Sequence, residues 1–242
     1  MVTLNGPDGA PYLLAPTKII ALGLNYLDHI AESRSVRVQG FGQEAPAEPV
    51  LFPKTPNVLV GPGQAIRIPA FLADYRFEEP RVDYEAELAF VVRDRCRDVP
   101  AGEAWDHILG FTCFNDVSQR NLQRSDASGW WRGKSLDTFG PVGPRIVSRG
   151  ELGDPQDLAI RCRLNGRVVQ ESRTRHMIFS IPAILAFISR NLTLEAGDLV
   201  STGTPSGVGA LRHGDEVEVE IEGIGVLRNP VLDEARTRRS GG

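Results

Sequence analysis

The stretch RVDYEAELAFVV, residues 81–92, sets two acids side by side in an otherwise apolar run. On a strand, successive side chains point to opposite faces. Glu85 and Glu87 then share one face with Ala89 and Val91, while Tyr84, Ala86, Leu88 and Phe90 share the other. The two glutamate Cα atoms lie roughly 6.5–7 Å apart in that geometry. Uncompensated carboxylates at this range repel, and burial raises at least one pKa unless a positive charge sits between them. Asp116 follows a second apolar run, ILGFTCF, and offers a third carboxylate. Three carboxylates without a neighbouring histidine make a hard, all-oxygen donor set. Such a set suits Mg2+ or Mn2+ rather than zinc and leaves coordination positions for substrate and water. A bare Glu-x-Glu is more often a solvated face paired with arginines, so this pattern alone is a weak signal.

Three other patterns offer chemistry. In LNYLDHIAES, His29 and Glu32 stand three residues apart, so on a helix their side chains meet. A carboxylate beside an imidazole fixes its tautomer and supports a role as base, although a surface His–Glu pair is equally common. In WWRGKSLDTFGPVGP, Lys134 lies between glycine and serine after two tryptophans. It could be a fixed cation for an anionic substrate, and by composition alone it reads more readily as an ordinary surface lysine. In VSTGTPSGVG, residues 200–209, glycines such as Gly203 let backbone N–H groups approach a carboxylate, and the Thr202 and Thr204 hydroxyls can add hydrogen bonds. The alternative is a tight strand-to-strand connection. It is neither a Walker A nor a GxGxxG after a strand, which argues against nucleotide binding.

The elements that must position these groups are mostly strands. KIIALGLNY (18–26) reads as a buried strand and LDHIAES (27–33) as one or two helical turns. Residues 34–49 are polar and rich in glycine and proline and read as a mobile loop, a candidate lid. Asn165-Gly166 between alternating runs predicts a type I′ hairpin. SIPAILAFISRN (180–191) is the clearest helix, with Ser180 as cap and Pro182 in its first turn. The alternation in DEVEVEIEGIGVLRNPV predicts strands with one wet face. These features give a strand-rich α+β fold in one domain.

The chain has 242 residues, 41% of them hydrophobic, enough for a sizeable core. A formal net charge of −4 argues against nucleic acid or an anionic membrane surface as partner. Three widely spaced cysteines without a CxxC argue against a disulfide framework or a structural zinc site and suggest reduced thiols in a cytoplasmic protein. No apolar run approaches the roughly 20 residues needed to span a bilayer.

Taken in order, LNYLDHIAE, VDYEAELAFVV, GFTCFNDVSQRNLQ, WWRGKSLDTFGPVGP, QESRTRHMIFSIPAILAFIS and LEAGDLVSTGTPSGVG make the chain resemble the fumarylacetoacetate hydrolase family. The resemblance is to its short single-domain members: acylpyruvases, oxaloacetate decarboxylases and tautomerases, and 2-hydroxyhepta-2,4-diene-1,7-dioate isomerases. It implies a mixed β-roll with few short helices and a homodimer. The chain then divides into a short β-prone lead over 1–16, a catalytic domain over 17–233 that the resemblance covers, and a tail over 234–242 whose polar, charged composition predicts disorder. By position it implies Glu85, Glu87 and Asp116 as ligands of Mg2+ or Mn2+, His29 and Glu32 as a catalytic dyad, and Lys134 as an active-site lysine. Gln123 then contacts the substrate, and Thr204, beside Gly203, holds its carboxylate. The substrate class is a small 2-oxo or enol carboxylic acid, as in aromatic catabolism. C–C hydrolysis of an acylpyruvate through a metal-stabilised pyruvate enolate comes first. Oxaloacetate decarboxylation or tautomerisation, or isomerisation, through the same enolate is the alternative. A non-catalytic ligand-binding homologue is disfavoured because the matched positions keep their chemistry. Two features depart from the family pattern: Ala86 stands where many members have glycine, and the loop FLADYRFEEPR is longer.

Overall fold

The computed structural model describes residues 1–28, 45–127 and 129–239. In chain order the first strands are β1 (Val2–Asn5), β2 (Pro11–Leu14), β3 (Ile19–Gly23), β4 (Val50–Lys54), β5 (Leu59–Val60), β6 (Ile66–Ile68), β7 (Val82–Tyr84), β8 (Ala86–Val92) and β9 (Ile108–Asn115). They are followed by β10 (Ser118–Gln119), β11 (Gly140–Val147), β12 (Ala159–Leu164), β13 (Arg167–Arg173), β14 (Leu199–Ser201), β15 (Gly209–Ala210), β16 (Glu216–Ile221) and β17 (Gly225–Asp233). The helices are short: α1 (Arg120–Ser125), α2 (Trp131–Lys134), α3 (Arg149–Leu152), α4 (Ile181–Asn191) and α5 (Glu234–Arg239). The fold is therefore mostly β with few helices, as the sequence predicts.

A nine-stranded mixed sheet runs β2-β1-β11-β9-β8-β14-β3-β4, with β5 beside β11. The remaining strands form a five-stranded sheet, β13-β12-β16-β17-β6, and a three-stranded one, β10-β7-β15. β8 lies inside the large sheet, antiparallel to both β9 and β14. Every residue of β8 is buried. Leu88, Phe90 and Val92 enter the larger hydrophobic cluster and Ala89 and Val91 the smaller. This is the two-faced alternation expected of the strand.

One expectation is corrected here. RVDYEAELAFVV is not a single strand: the chain leaves the small sheet after Tyr84 and enters the large one at Ala86. Glu85 sits at the break, because its N–H goes to the Asn115 side chain (2.9 Å) instead of a ladder partner, while its carbonyl accepts from Asp116 N (2.9 Å).

The hairpin at Asn165-Gly166 forms with φ of 52° and 78°, the positive pair a type I′ turn requires. In α4, Ser180 Oγ accepts from Ala183 N, and Ile181, Ile184, Leu185 and Ile188 are buried. In β16, Val217, Val219 and Ile221 face the core. The lead strands β1 and β2 pair with each other, and β1 continues the large sheet alongside β11. The segment 234–239, expected within a disordered tail, is helical, and Asp233 Oδ1 accepts from Ala235 N (2.9 Å) at its start. Residues 240–242 lie outside the described residues. Among the described residues, no helix is long and apolar enough to cross a membrane.

Candidate active site

Glu85, Glu87 and Asp116 converge where β8 begins and β9 ends. One carboxylate oxygen from each lies within 4.8 Å of the others, and their exposures are 4%, 1% and 0%. The solvated-face reading is thereby excluded: these are buried acids, and each needs compensation.

Compensation comes from three segments. Lys134 Nζ donates to Glu85 Oε2 and to Asp116 Oδ2, both at 2.6 Å. Lys54 Nζ donates to Asp116 Oδ1 at 2.6 Å. Arg120 donates to Glu85 through Nη2 and to Asp83 through Nε, the latter at 2.8 Å. Glu87 differs. Its Oε2 accepts from Ser201 Oγ and from Gly203 N (2.9 Å), both uncharged donors.

The electrostatics follow from these contacts. Burial, followed by the Asp116 and Glu85 charges, holds the Glu87 carboxyl well above the usual carboxylate range. Burial works against the Lys134 charge, yet Asp116 and Glu85 outweigh it and hold its pKa above the ordinary lysine value. The same two acids fail to rescue Lys54, whose pKa is lowered by burial and by the Lys134 charge. Arg120 is likewise desolvated but is raised by Glu85 and Asp83.

Local sequence explains how these cations arrive. β4 is an edge strand on which Phe52 and Lys54 point inward and Pro53 outward, a placement an edge tolerates. Lys134 Nζ lies 4.9 Å from the Phe52 ring centroid. Gly133 lets α2 lie against α1: a Cβ there would meet Gln123 N at 2.7 Å and Gln119 O at 2.8 Å. The loop after β14 turns at Gly203, whose φ is 93° and where a Cβ would approach that of Asn25 to 2.8 Å. The Asn25 side chain bonds Thr202 O (2.8 Å) and Phe179 N (2.8 Å), tying the LNY segment to this loop.

The other sequence-predicted residues fall as follows. Gln123 is buried beside the site, and its Oε1 accepts from Arg120 Nη1 (3.1 Å). Thr204 donates its hydroxyl to Ala86 O (2.8 Å) and accepts from Gln170 Nε2 (2.9 Å), and Gly203 N is spent on Glu87. Both therefore brace β8 in this arrangement. His29 and Glu32, with most of the candidate lid, lie outside the described residues. Sequence reasoning missed Lys54, Arg120 and Ser201. Lys54 does carry a signal, a charge ending the apolar run LFPK in phase with Phe52.

The donor chemistry fits a divalent cation. The three acids supply oxygen only, they already converge, and the hydrogen-bond donors on Glu87 Oε2 are both uncharged.

Comparison with known proteins agrees with this architecture. Residues 18–232 match the family model for the fumarylacetoacetate (FAA) hydrolase C-terminal domain. The chain belongs to the fumarylacetoacetate hydrolase family and is an enzyme of that family. It is 41% identical to the mitochondrial oxaloacetate tautomerase fahd2 of Xenopus laevis, over 90% of this chain and 66% of that longer protein. A 2-hydroxyhepta-2,4-diene-1,7-dioate isomerase from Mycobacterium marinum matches with a TM-score of 0.78 and 39% identity, covering 96% of this chain and 86% of its own. Fumarylpyruvate hydrolase from Pseudomonas aeruginosa, in complex with Mn2+ and pyruvate, matches with a TM-score of 0.83 and 28% identity, covering 96% of both chains.

Proposed function

We propose that the protein catalyses an enolate reaction of a small 2-oxo carboxylic acid, with proton transfer at C3 – enol–keto tautomerisation or double-bond isomerisation – as its leading chemistry. The observation that carries this reading is the buried convergence of Glu85, Glu87 and Asp116, with the Lys134 ammonium 2.6 Å from two of them. Glu85, Glu87 and Asp116 would hold Mg2+ or Mn2+, which when bound supplies Lewis-acid polarisation of a carbonyl oxygen. Lys134 supplies a fixed positive charge beside the anionic substrate, preorganised by its two carboxylate partners. Because these groups are shielded from water, their electrostatic effect is far larger than at a surface. By the family resemblance, His29, with Glu32 as its dyad partner, is the group assigned to carry the proton at C3. Gln123 and Thr204 are assigned to the substrate, Thr204 by exchanging its bond to Ala86 O for one to the substrate carboxylate.

Relatives near 40% identity named as a tautomerase and an isomerase support placing proton transfer first. C–C hydrolysis of an acylpyruvate, which the sequence patterns place first, is the second reading. Its support is the fumarylpyruvate hydrolase that matches along nearly the whole of both chains. In that reaction His29 would take a proton from water, the hydroxide would add to the C4 carbonyl, and the C3–C4 bond would break to leave a carboxylic acid and a pyruvate enolate that takes a proton at C3. The reading also takes the protein as a cytoplasmic homodimer. Assembly rests on the family resemblance, the compartment on three buried free thiols, and light scattering tests the assembly.

The decisive experiment assays enol-oxaloacetate, a hydroxyheptadienedioate, acetylpyruvate and fumarylpyruvate, each with Mg2+, with Mn2+ and after metal removal by EDTA. Faster proton transfer than cleavage is expected. Faster cleavage of an acylpyruvate reverses the order of the two readings, and full turnover in EDTA overturns the metal assignment.

A further inference from the structure

We propose that Asp94, Cys96 and His107 form a second cation site, made of one carboxylate, one thiolate and one imidazole, which takes Zn2+ or Co2+ in preference to Mg2+. One ligand atom from each lies within 4.8 Å of the others. The site is separate from the carboxylate cluster. β8 runs from Ala86 to Val92, and the chain then continues to Asp94. Five residues at about 3.3 Å each put Val92 about 17 Å from Glu87.

Donor type decides the preference. Sulfur and nitrogen favour Zn2+ and Co2+, whereas Mg2+ demands oxygen. Three protein ligands with a fourth position for water is a regular arrangement for zinc. Charge agrees: a carboxylate and a thiolate beside a neutral imidazole carry −2, which a divalent ion neutralises.

The backbone fixes the donors. Cys96 is paired with Leu194 in both directions, N–H to O at 3.0 Å each way. His107 ends a 3-10 helix, Ala101–His107, and its carbonyl accepts from Arg93 N at 2.8 Å. Access is open on one side: the Asp94 side chain is 52% exposed and that of His107 27%, while Cys96 is a buried residue. The two exposed ligands leave the proposed site accessible to an ion from solvent.

Neighbouring cations are engaged elsewhere. Arg93 Nη2 donates to Ile108 O (2.9 Å), Arg95 pairs with Glu195 (3.3 Å) and Arg97 with Asp98 (3.8 Å). Burial, followed by the Asp94, Asp198 and Glu195 charges and opposed by Lys18, pushes the Cys96 thiol pKa up. Asp94 Oδ1 and His107 Nδ1 lie 2.6 Å apart, a hydrogen bond that the ion replaces. The thiol proton, with any proton shared by that pair, leaves to solvent as the sulfur–metal bond forms.

The test uses Co2+ as the probe, titrated into the full-length protein under reducing conditions in excess Mg2+. Cobalt on oxygen ligands lacks the thiolate-to-metal charge-transfer band in the near ultraviolet, so that band reports the sulfur site alone. It should saturate at one Co2+ per chain, vanish in Cys96→Ser and be lost or strongly weakened in His107→Gln and Asp94→Asn. Asp94 and His107 are partly exposed, so their variants test the site even if Cys96→Ser misfolds. Zn2+ should raise the melting temperature of the parent and not of His107→Gln. Absence of the band in the parent, its survival in Cys96→Ser, or an unchanged titration of His107→Gln overturns the proposal.

Discussion

The two ends of the β8 segment each gather three potential ligand side chains, in opposite settings. At one end Glu85, Glu87 and Asp116 are at most 4% exposed and draw in Lys54, Lys134 and Arg120 from separate segments. At the other, Asp94 is half exposed and meets a partly exposed histidine. Burial makes the difference. In the interior a carboxylate without a partner carries the full desolvation cost, so the surrounding segments are tied to it. At the surface, water does most of that work and the pair is worth little. The proposed roles differ accordingly: the closed end is preorganised for the proposed enolate chemistry, and the open end is the one through which the proposed second ion would exchange with solvent.

The largest expected effect is at Lys134. Lys134→Met leaves Glu85 and Asp116 short of a buried cation, and breaking a buried pair from one side costs roughly 3–5 kcal/mol. Urea unfolding of metal-free protein measures this, and Mn2+ should restore part of the loss by replacing the missing charge. A loss below about 1 kcal/mol, the range of surface pairs, would mean that the closed end behaves like the open one.

Glu87→Ala comes next. Removing a ligand forfeits a cation worth several kcal/mol at the transition state, or about 10²–10³ in turnover. Calorimetry should find Mn2+ binding abolished at the carboxylate cluster. Unchanged binding heat would show that Glu87 is not a ligand.

Ser201→Ala is milder. It removes one of the two neutral donors on Glu87 Oε2. A buried acceptor left short costs about 1–3 kcal/mol, and outer contacts of this kind tune metal affinity by roughly 10–100-fold. An Mn2+ affinity equal to the parent would show that Gly203 N alone orients the carboxylate.

The same contrast explains what was legible in the sequence. Glu85 and Glu87 stand out because strand alternation puts two acids into an apolar run, and Asn165-Gly166 stands out because its turn needs two positive φ values. Both are local signals. The cations could not be read in this way. Arg120 looks like one more polar residue in SQRNLQRSD, and only the approach of α1 to Glu85 and Asp83 gives it meaning. Lys54 reaches Asp116 across 62 positions of sequence. The break at Glu85 was hidden for a similar reason, since it depends on the Asn115 side chain capturing a backbone N–H. At the open end, a search for CxxC spacing passes over Cys96, whose neighbours come from the i−2 position and from a 3-10 helix eleven residues on.

The smallest effect belongs to Asp94. Its contact with His107 Nδ1 is short at 2.6 Å, yet distance alone does not set its worth. Both groups touch water, so separating them exposes no uncompensated buried charge, and the attraction is screened by solvent and salt. The backbone at this end is held independently of the pair, by Arg93 N to His107 O and by Cys96 to Leu194. Asp94→Asn should therefore lower the unfolding free energy by no more than about 1 kcal/mol, measured by urea denaturation without added metal. Added Zn2+ should then widen the gap, because the parent gains stability by mass action and the variant gains less. A loss of about 3 kcal/mol or more without metal, as expected of a buried pair, would mean that Asp94 supports the strand end structurally and that burial is not what separates the two clusters.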